Sequence, residues 1–322
     1  MMLDHGGNLD AAIAAYGAGD WLDLSTGINP VAYPVPTITP GAWRTLPTAT
    51  RMRRFSDIAA SYFQTQAEVV PFAGAQSAIQ AIPFVTPRGT ARVLGPTYNE
   101  HLAALSTAGW SAQESPNIQA LEGADLSVVV NPNNPDGQLF APESLRDLAK
   151  KVGVLVIDES FVDTCPDQSL CAGGLPANTV VLRSFGKFFG LAGLRLGWAI
   201  AAGNLAKALR DRAGPWPVSG PAIEIAEAAL ADTGWQKTTR SRLAKGAARM
   251  DDLAQQSGWS LVGGTELFRT YRTPDAKQAQ AHLASHHIWA RIFPYSQTWI
   301  RLGLPDPDRF GQLERAFRAL SA

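Results

Sequence analysis

The sequence predicts an α/β protein, with a layered domain built on a mostly parallel sheet and a smaller α+β domain after it. Strand-like and helix-like patterns alternate through most of the 322 residues, which is typical of helices packed on a sheet. The strand-like runs are short, β-branched and nearly all apolar, as in parallel strands buried on both faces. Beyond residue 256 the order becomes strand, helix, strand and helix, which indicates a second and smaller unit.

Four apolar runs are predicted as strands of the main sheet. In chain order they are "ARVLG" (91–95), "DLSVVVN" (125–131), "GVLVIDE" (153–159) and "TVVLRSF" (179–185). The segment "FAGAQSAIQAI" (72–82) is predicted as a strand, a turn of small residues and the start of a helix. "PESLRDLAKK" (142–151) is predicted as a helix because proline and glutamate lie in its first turn.

The carboxyl-terminal part begins with an alanine-rich helical pattern from about 222 to 256. Two strand-like runs follow, "LFRTY" (267–271) and "WIRLGL" (299–304), with a helical pattern at 275–287 between them and a final helix after them. These patterns predict a small α+β domain that is joined to the main domain through a long helix.

Three regions are expected along the chain. The first is an amino-terminal arm, residues 1–30, for which a family resemblance of its motifs implies a contribution to the small domain and to the active site. A large domain spans 31–215, and a small domain with the long linking helix spans 216–322.

Composition excludes several classes of function. Hydrophobic residues make up 46% of the chain, charged residues 17%, and the formal net charge is zero. A neutral chain lacks the electrostatic signature of a nucleic-acid or acidic-membrane binder. The start "MMLDHGGNLD" lacks the basic and apolar regions of a signal peptide, so a cytoplasmic location is expected, with Cys165 and Cys171 reduced.

The segment "SFGKFFGLAGLRLGW" (184–198) places Lys187 among small and apolar residues. Burial disfavours the charged form of a lysine. A partly neutral lysine is a nucleophile of the kind that forms Schiff bases with carbonyl compounds. The alternative is that Lys187 only extends its ammonium to solvent from a helix end.

Two polar side chains follow predicted strands. Ligands of open α/β sheets lie beyond the carboxyl ends of strands, and Asn134 in "NPNNPDGQLF" (131–140) stands at such an end. Asp158 ends the apolar run "VLVID", where a carboxylate needs a partner. The alternatives are a simple Asx-turn at Asn134 and a helix N-cap at Asp158.

An anion site is predicted at the turn Gly74, Ala75 and Gln76, because backbone N–H groups at a helix start favour an anion. Together with an aromatic residue after a strand, Tyr98, these features match the needs of one cofactor. Pyridoxal phosphate requires a lysine and an acid at its ring nitrogen. It also requires donors to its phenolate oxygen, a stacking surface and a phosphate cradle.

The motifs "NPNNPDG", "VIDES" and "SFGKFFGLAGLRLGW", in this order, resemble the fold-type I pyridoxal-phosphate enzymes. Within these enzymes the chain resembles the aminotransferase branch that includes histidinol-phosphate aminotransferase, and the resemblance covers nearly the whole chain. The resemblance implies a three-layer αβα PLP-dependent transferase fold with a mostly parallel central sheet and a smaller α+β domain. It also implies a homodimer.

The resemblance further implies the roles of individual residues. Lys187 would be the Schiff-base lysine, Asp158 the partner of the pyridinium nitrogen, and Asn134 a donor to the phenolate oxygen. Tyr98 would stack on the ring.

Other positions would hold the anionic groups of cofactor and substrate. Ser184, Arg195 and the turn at Gly74–Gln76 would hold the cofactor phosphate. Arg301 in "WIRLGL" would hold the substrate carboxylate as a bidentate fork.

The chain departs from the usual aminotransferase pattern at two positions. Phe161 stands where a tyrosine usually follows the aspartate, and Leu46-Pro47 stands where Tyr-Pro is usual. Phe161, "HGGNLDAA" (5–12) and "LDLSTGINP" (22–30) resemble the threonine-phosphate decarboxylases of cobalamin biosynthesis. The implied reaction converts L-threonine O-3-phosphate to (R)-1-aminopropan-2-yl phosphate and carbon dioxide.

His5, Asn8 and Asn29 are the candidate donors to the substrate phosphate. Two other functions remain open: a histidinol-phosphate-type aminotransferase, and a non-catalytic binding or regulatory module on the same fold. No metal site is predicted, because His282 and His286 in "HLASHH" lack a third ligand and are expected on a solvated helix face.

Overall fold

The computed structural model describes residues 5–320. They divide into two compact units, of which the larger comprises residues 33–134 and 139–235. The smaller comprises residues 5–32, 135–138 and 236–320. Residues 216–235, which the sequence analysis assigned to the small domain, fall in the larger unit in this division.

The elements are numbered in chain order. The strands are β1 (Leu22–Asp23), β2 (Glu68–Phe72), β3 (Thr90–Leu94), β4 (Ser111–Ser115), β5 (Leu126–Val130), β6 (Val154–Asp158), β7 (Thr179–Ser184), β8 (Gly197–Ala201), β9 (Ser260–Thr265), β10 (Phe268–Arg272), β11 (Ile288–Trp289), β12 (Arg291–Phe293) and β13 (Ser296–Gly303). The helices are α1 (Leu9–Tyr16), α2 (Pro40–Arg44), α3 (Ala49–Tyr62), α4 (Ala75–Ala81), α5 (Glu100–Thr107), α6 (Pro142–Ala149), α7 (Phe185–Phe188), α8 (Gly203–Ala213), α9 (Gly220–Ala231), α10 (Thr233–Gln256), α11 (Ala276–Ser285) and α12 (Phe310–Leu320).

The larger unit is built on one sheet with the strand order β2-β8-β7-β6-β5-β3-β4. Strand β8 runs antiparallel to both of its neighbours, and the remaining pairs are parallel. The prediction of an α/β fold with a mostly parallel central sheet is confirmed. The four predicted runs correspond to β3, β5, β6 and β7, whereas the antiparallel β8 was not foreseen.

The middle of this sheet is buried on both faces. Every residue of β5 and β6 is buried, as expected of an apolar run that helices cover on two sides. In β8, which is separated from β6 by β7, a Cβ on Gly197 would lie 2.4 Å from the backbone nitrogen of Ala75. Glycine at this position therefore allows the start of α4 to lie directly against β8.

The alanine-rich pattern at 222–256 forms two helices rather than the single long helix that was predicted. Asp232 ends α9 with a non-helical backbone, and its Oδ1 accepts a hydrogen bond from the backbone N–H of Trp235 at 2.9 Å. A side chain that caps the next helix in this way favours a break over continuation. α9 also contacts the amino-terminal part of the larger unit, where Glu227 pairs with Arg51 at 3.0 Å.

The smaller unit contains an antiparallel sheet of order β12-β13-β10-β9 and a parallel pair, β1 and β11. The runs "LFRTY" and "WIRLGL" lie in β10 and β13. Helix α1 of the amino-terminal arm buries Ala12 fully, and Tyr16 lies 6.4 Å from Trp21 and 6.3 Å from Trp289 between ring centroids. The arm is thus packed into this unit from residue 9 onwards.

Between residues 5 and 320, no helix combines the length and the apolar character that crossing a membrane requires. Cys165 and Cys171 carry free thiols.

Candidate active site

A cavity opens in the larger unit where three neighbouring strands end. Asn134 follows β5, Asp158 ends β6, and Ser184 ends β7, so the three side chains meet at one edge of the sheet. The cavity has a volume of about 150 Å³, a size that accommodates one aromatic ring. Its lining includes all nine residues predicted for the cofactor, which are Gly74, Ala75, Gln76, Tyr98, Asn134, Asp158, Ser184, Lys187 and Arg195.

Lys187 lies in the short helix α7, immediately after β7. The flanking Phe185 and Phe188 are fully buried, and they anchor the turn in the core. A Cβ on Gly186 would lie 2.7 Å from the Cα of Ala192, so glycine is required for this close approach. The Lys187 ammonium lies 5.7 Å from the centroid of the Phe161 ring, within the range of a cation–π contact.

Asp158 is buried and fully engaged in hydrogen bonds. Its Oδ1 accepts from the backbone N–H and the hydroxyl of Ser160, at 2.9 and 2.5 Å, and its Oδ2 lies 2.9 Å from His101 Nε2. Burial raises the pKa of Asp158, but the hydrogen bond and charge of His101 and the bonds from Ser160 outweigh it, so the net pKa is lowered. The carboxylate is therefore held ionised and can balance a cation in the cavity.

His101 is the functional residue that sequence reasoning missed in this unit. It lies on α5 with 2% of its surface exposed, and its ring meets that of Tyr98 edge-on at 6.1 Å. An ionised carboxylate can only accept, so His101 donates its Nε2 hydrogen to Asp158. The only signal in the sequence was its position three residues after the predicted stacking residue.

The anion end of the cavity is formed by Gly74 and Arg195. Gly74 has φ +84°, and a Cβ there would lie 2.7 Å from Arg195 Nη2. Arg195 itself adopts a left-handed backbone with φ +54° and donates from Nη1 to the carbonyl of Ala192 at 3.2 Å. A guanidinium is thus held against the start of α4, where backbone N–H groups also favour an anion.

Tyr98 is oriented by two polar side chains. Its hydroxyl donates to Gln76 Oε1 at 3.1 Å, and Gln76 Nε2 donates to Glu100 Oε2 at 2.6 Å. Burial, followed by the charges of Glu100 and Asp158, raises the pKa of Tyr98 to about 12. The phenol therefore stays neutral, and the side chain of Gln76 links the hydroxyl of Tyr98 to the carboxylate of Glu100.

The three asparagines of "NPNNPDG" make different contacts. Asn131 exchanges two hydrogen bonds with the backbone of Phe140, at 2.8 and 3.1 Å. Asn133 bonds the carbonyl of Pro96 and the hydroxyl of Thr97 at 3.0 and 2.6 Å. Asn134 lines the cavity, so the other two shape the loop that presents it.

These residues fit pyridoxal phosphate. A lysine, an ionised buried carboxylate, an amide and a phenol ring surround a space of ring size. The guanidinium of Arg195 lies where a Cβ on Gly74 would collide, and the first residues of α4 line the same end of the cavity. This donor set provides a covalent anchor, a counter-ion for a ring nitrogen and an anion cradle.

Arg301 lies in β13 of the smaller unit. It is 6% exposed, its Nη2 donates to the carbonyl of Ser25 at 2.6 Å, and its guanidinium carbon lies 5.3 Å from the Phe268 ring centroid. Burial and the neighbouring charge of Arg291 lower the pKa of Arg301 to about 10. The side chain is thus still a cation at neutral pH.

Arg291 was also missed by sequence reasoning. It lies on β12 and is the direct cross-strand partner of Arg301. Directly opposite residues of an antiparallel pair point to the same face of the sheet, and like charges there repel each other. Only the register of β12 with β13 reveals this arginine pair.

The three candidate donors to the substrate phosphate lie in the smaller unit. His5 and Asn8 line a second cavity together with Ser25 and Arg291, and Asn29 is not part of that lining. Asn29 is buried, and its Oδ1 accepts from Arg242 Nη2 at 2.9 Å.

The histidines of "HLASHH" serve the packing of α11. His282 Nε2 lies 2.8 Å from the carbonyl of Ala316, and His286 Nδ1 lies 3.0 Å from the carbonyl of His282.

A profile of the family described as aminotransferase class I and II matches residues 45–320. The chain belongs to this family. It is 39% identical over 325 residues to a threonine-phosphate decarboxylase of Pseudomonas aeruginosa, covering 98% of this chain and 97% of the relative. It is also 39% identical to a threonine-phosphate decarboxylase of a Sinorhizobium species, covering 95% and 94% of the two chains.

The fold is shared with solved members of the family. A histidinol-phosphate aminotransferase of Sinorhizobium meliloti, solved in complex with pyridoxal-5'-phosphate, superposes with a TM-score of 0.81 at 19% identity and covers 99% of this chain and 96% of that one. The predictions of an enzyme of this family and of pyridoxal phosphate as its cofactor are confirmed.

Proposed function

We propose that this protein decarboxylates L-threonine O-3-phosphate and releases (R)-1-aminopropan-2-yl phosphate and carbon dioxide. The observation that carries the proposal is the end-to-end similarity to two threonine-phosphate decarboxylases, each 39% identical. The cavity in the larger unit supports it, because it collects every residue expected to hold the cofactor.

Pyridoxal phosphate, when bound, supplies a ring that accepts the electron pair of the bond that breaks. Asp158 would hold a proton at the ring nitrogen, since its carboxylate is kept ionised by His101 and Ser160. Asn134 would donate to the phenolate oxygen, and Arg195 with Ser184 would bind the phosphate. Lys187 would supply the amine that anchors the cofactor and the proton that replaces the departing carboxylate at Cα.

The arginine pair of the smaller unit suits a substrate with two anionic groups. Arg291 and Arg301 repel each other across the strands, and a carboxylate with a phosphate offsets both charges. We assign the carboxylate to Arg301 and the phosphate to Arg291, with His5 and Asn8, which line the same cavity as Arg291, as further phosphate donors. Plain L-threonine, which lacks the phosphate, should leave these groups without their counter-charge and react poorly.

Phe161 favours decarboxylation over transamination in this proposal. Its ring offers no hydroxyl to the cofactor and instead faces the ammonium of Lys187 at 5.7 Å. Asn134 is then the main side-chain donor to the phenolate oxygen. The bond that breaks is selected by how the arginines fix the substrate, since orientation decides which barrier is lowered.

We further propose that the protein is a cytoplasmic homodimer that serves cobalamin biosynthesis, with residues 1–30 completing the active site. Trp43 and Leu46 leave 70% and 63% of their surfaces exposed, and covering such large apolar side chains with a second copy would favour association. Sedimentation at micromolar and nanomolar concentrations tests the dimer. A fully active monomer would contradict it.

The function is tested by incubating the holoenzyme with L-threonine phosphate and measuring carbon dioxide and the amine product. Lys187→Ala is the control for background release. In parallel, histidinol phosphate with 2-oxoglutarate is assayed for glutamate. The proposal expects carbon dioxide in the first reaction and no glutamate in the second. Glutamate without carbon dioxide would establish the aminotransferase function, and no reaction in either would favour a non-catalytic module.

A further inference from the structure

Arg301 is held in place by the backbone of a segment far away in sequence. Its Nη2 donates to the carbonyl oxygen of Ser25 at 2.6 Å. Strand β13 runs directly beside this segment, since the N–H of Gly303 donates to the carbonyl of Leu24 at 2.7 Å. A Cβ on Gly303 would lie 2.1 Å from the carbonyl oxygen of Thr26, so glycine permits the contact.

Ser25 is itself fixed by a short network. It is 1% exposed, and its backbone N–H and hydroxyl both donate to Asp23 Oδ1, at 2.8 and 2.6 Å. The first bond restrains the peptide plane that precedes Ser25, and the second restrains the rotamer of its hydroxyl. Ser25 is therefore held in place beside the carbonyl that Arg301 contacts.

The same hydroxyl also binds the start of the described chain. The N–H of Gly7 donates to Ser25 Oγ at 2.7 Å, and Gly7 adopts φ +84°. A Cβ on Gly6 would lie 2.3 Å from the carbonyl oxygen of Ser25, the atom that Arg301 uses. The two glycines of "HGGN" are thus required for the arm to lie against Ser25.

From these contacts we infer that Ser25 is a positioning residue for Arg301, and that through Ser25 the arm at Gly6–Gly7 sets the affinity for the substrate carboxylate. The inference rests on the proposed function, since it takes Arg301 as the carboxylate ligand. Because bidentate pairing of a guanidinium with a carboxylate depends on geometry, a restraint on the guanidinium of Arg301 favours that pairing. Ser25 provides that restraint through its carbonyl, and the arm and Asp23 keep the carbonyl in place.

The experiment compares two substitutions with a matched control. Ser25→Ala removes the hydroxyl and keeps the carbonyl, and Gly6→Ala crowds the carbonyl from the arm. Ser257→Ala is the control, because its hydroxyl also makes a hydrogen bond within the smaller unit, to the carbonyl of Phe317 at 3.2 Å, and does not line the cavity that Ser25 lines.

Steady-state kinetics with L-threonine phosphate give the first measurement. Ser25→Ala loses two hydrogen bonds, and we expect its KM to rise about tenfold with kcat changed by no more than about twofold. Gly6→Ala should change KM in the same direction, and Ser257→Ala should match the unsubstituted protein. Cofactor affinity and absorbance should be equal in all four proteins.

Two results would overturn the inference. One is a KM in both variants equal to that of the control. The other is a joint fall in kcat, cofactor affinity and thermal stability, which would mark general damage to the smaller unit.

Binding of L-alanine, followed by the absorbance change of the bound cofactor, separates this inference from the proposed function. L-Alanine carries a carboxylate and no phosphate. If the unsubstituted protein does not decarboxylate threonine phosphate but Ser25→Ala weakens L-alanine binding about tenfold, the proposed function fails and the inference stands. If the unsubstituted protein turns over threonine phosphate but binds L-alanine as tightly as Ser25→Ala does, the inference about Ser25 fails and the proposed function stands.

Discussion

Replacing His101 by alanine removes the side chain that contacts Asp158 Oδ2 at 2.9 Å. The two bonds from Ser160 to Oδ1 remain. Burial raises the pKa of Asp158, and the contributions of His101 are the largest that oppose it. Without His101 the pKa of Asp158 must therefore rise, and its charged form becomes less favourable.

The size of the change follows from the one interaction that is lost. A hydrogen bond to a charged group contributes about 1.5–3 kcal/mol. At 1.36 kcal/mol per pKa unit, the pKa of Asp158 should rise by about one to two units. The carboxylate of Asp158 is charged above its pKa and loses that charge below it. A higher pKa in the variant should therefore move the acidic limb of activity to higher pH.

The assay is the pH dependence of kcat/KM for L-threonine phosphate, which reports groups of the free enzyme. His101→Gln is the matched control, since its amide can donate a hydrogen bond from about the position of Nε2. We expect the acidic limb to move by about one to two pH units in His101→Ala and by less in His101→Gln, with activity at pH 8 affected least. An acidic limb at the same pH in all three proteins would refute the role of His101.

Three further predictions concern the cofactor site. Lys187→Ala should abolish the covalent lysine–cofactor adduct that mass spectrometry detects after borohydride reduction; an adduct at full yield would place the anchor elsewhere. Asp158→Asn should lose at least about 100-fold in kcat while still binding the cofactor, because a neutral amide cannot hold the ring-nitrogen proton; near-normal turnover would contradict this assignment. Gly74→Ala should weaken cofactor binding at least about tenfold with an unchanged circular-dichroism spectrum, because of φ +84° and the 2.7 Å approach to Arg195 Nη2; unchanged affinity would contradict the anion cradle.

The residues predictable from sequence were those whose place in the cavity follows from the order of strands. Asn134, Asp158 and Lys187 each come at or just after a strand of the parallel sheet, and parallel strands end at the same edge. Their proximity therefore follows from local patterns alone. The glycines of "FAGAQ" and "SFGKFF" could be located in the same way, although the close contacts that require them could not.

His101 and Arg291 could not be predicted because their importance depends on tertiary contacts. His101 lies in an ordinary helical pattern, and only the packing of α5 places its ring against Asp158. Arg291 is opposite Arg301 because of the register between β12 and β13. The turn between these two strands sets that register.

The break at Asp232 was missed for a different reason. The alanine-rich sequence favours helix on both sides of Asp232. Whether the helix continues or breaks there depends on one capping side chain.

In the proposed reaction the chain breaks the Cα–carboxylate bond of L-threonine phosphate, and Lys187, whose N–H hydrogens exchange with solvent, delivers a proton to Cα. The most direct measurement is the reaction in D₂O, with carbon dioxide quantified and the amine product analysed by mass spectrometry and NMR. We expect equal amounts of carbon dioxide and (R)-1-aminopropan-2-yl phosphate, with one deuterium on the carbon that carried the carboxylate. A keto-acid product with no carbon dioxide, accompanied by conversion of the cofactor to its amine form, would contradict it.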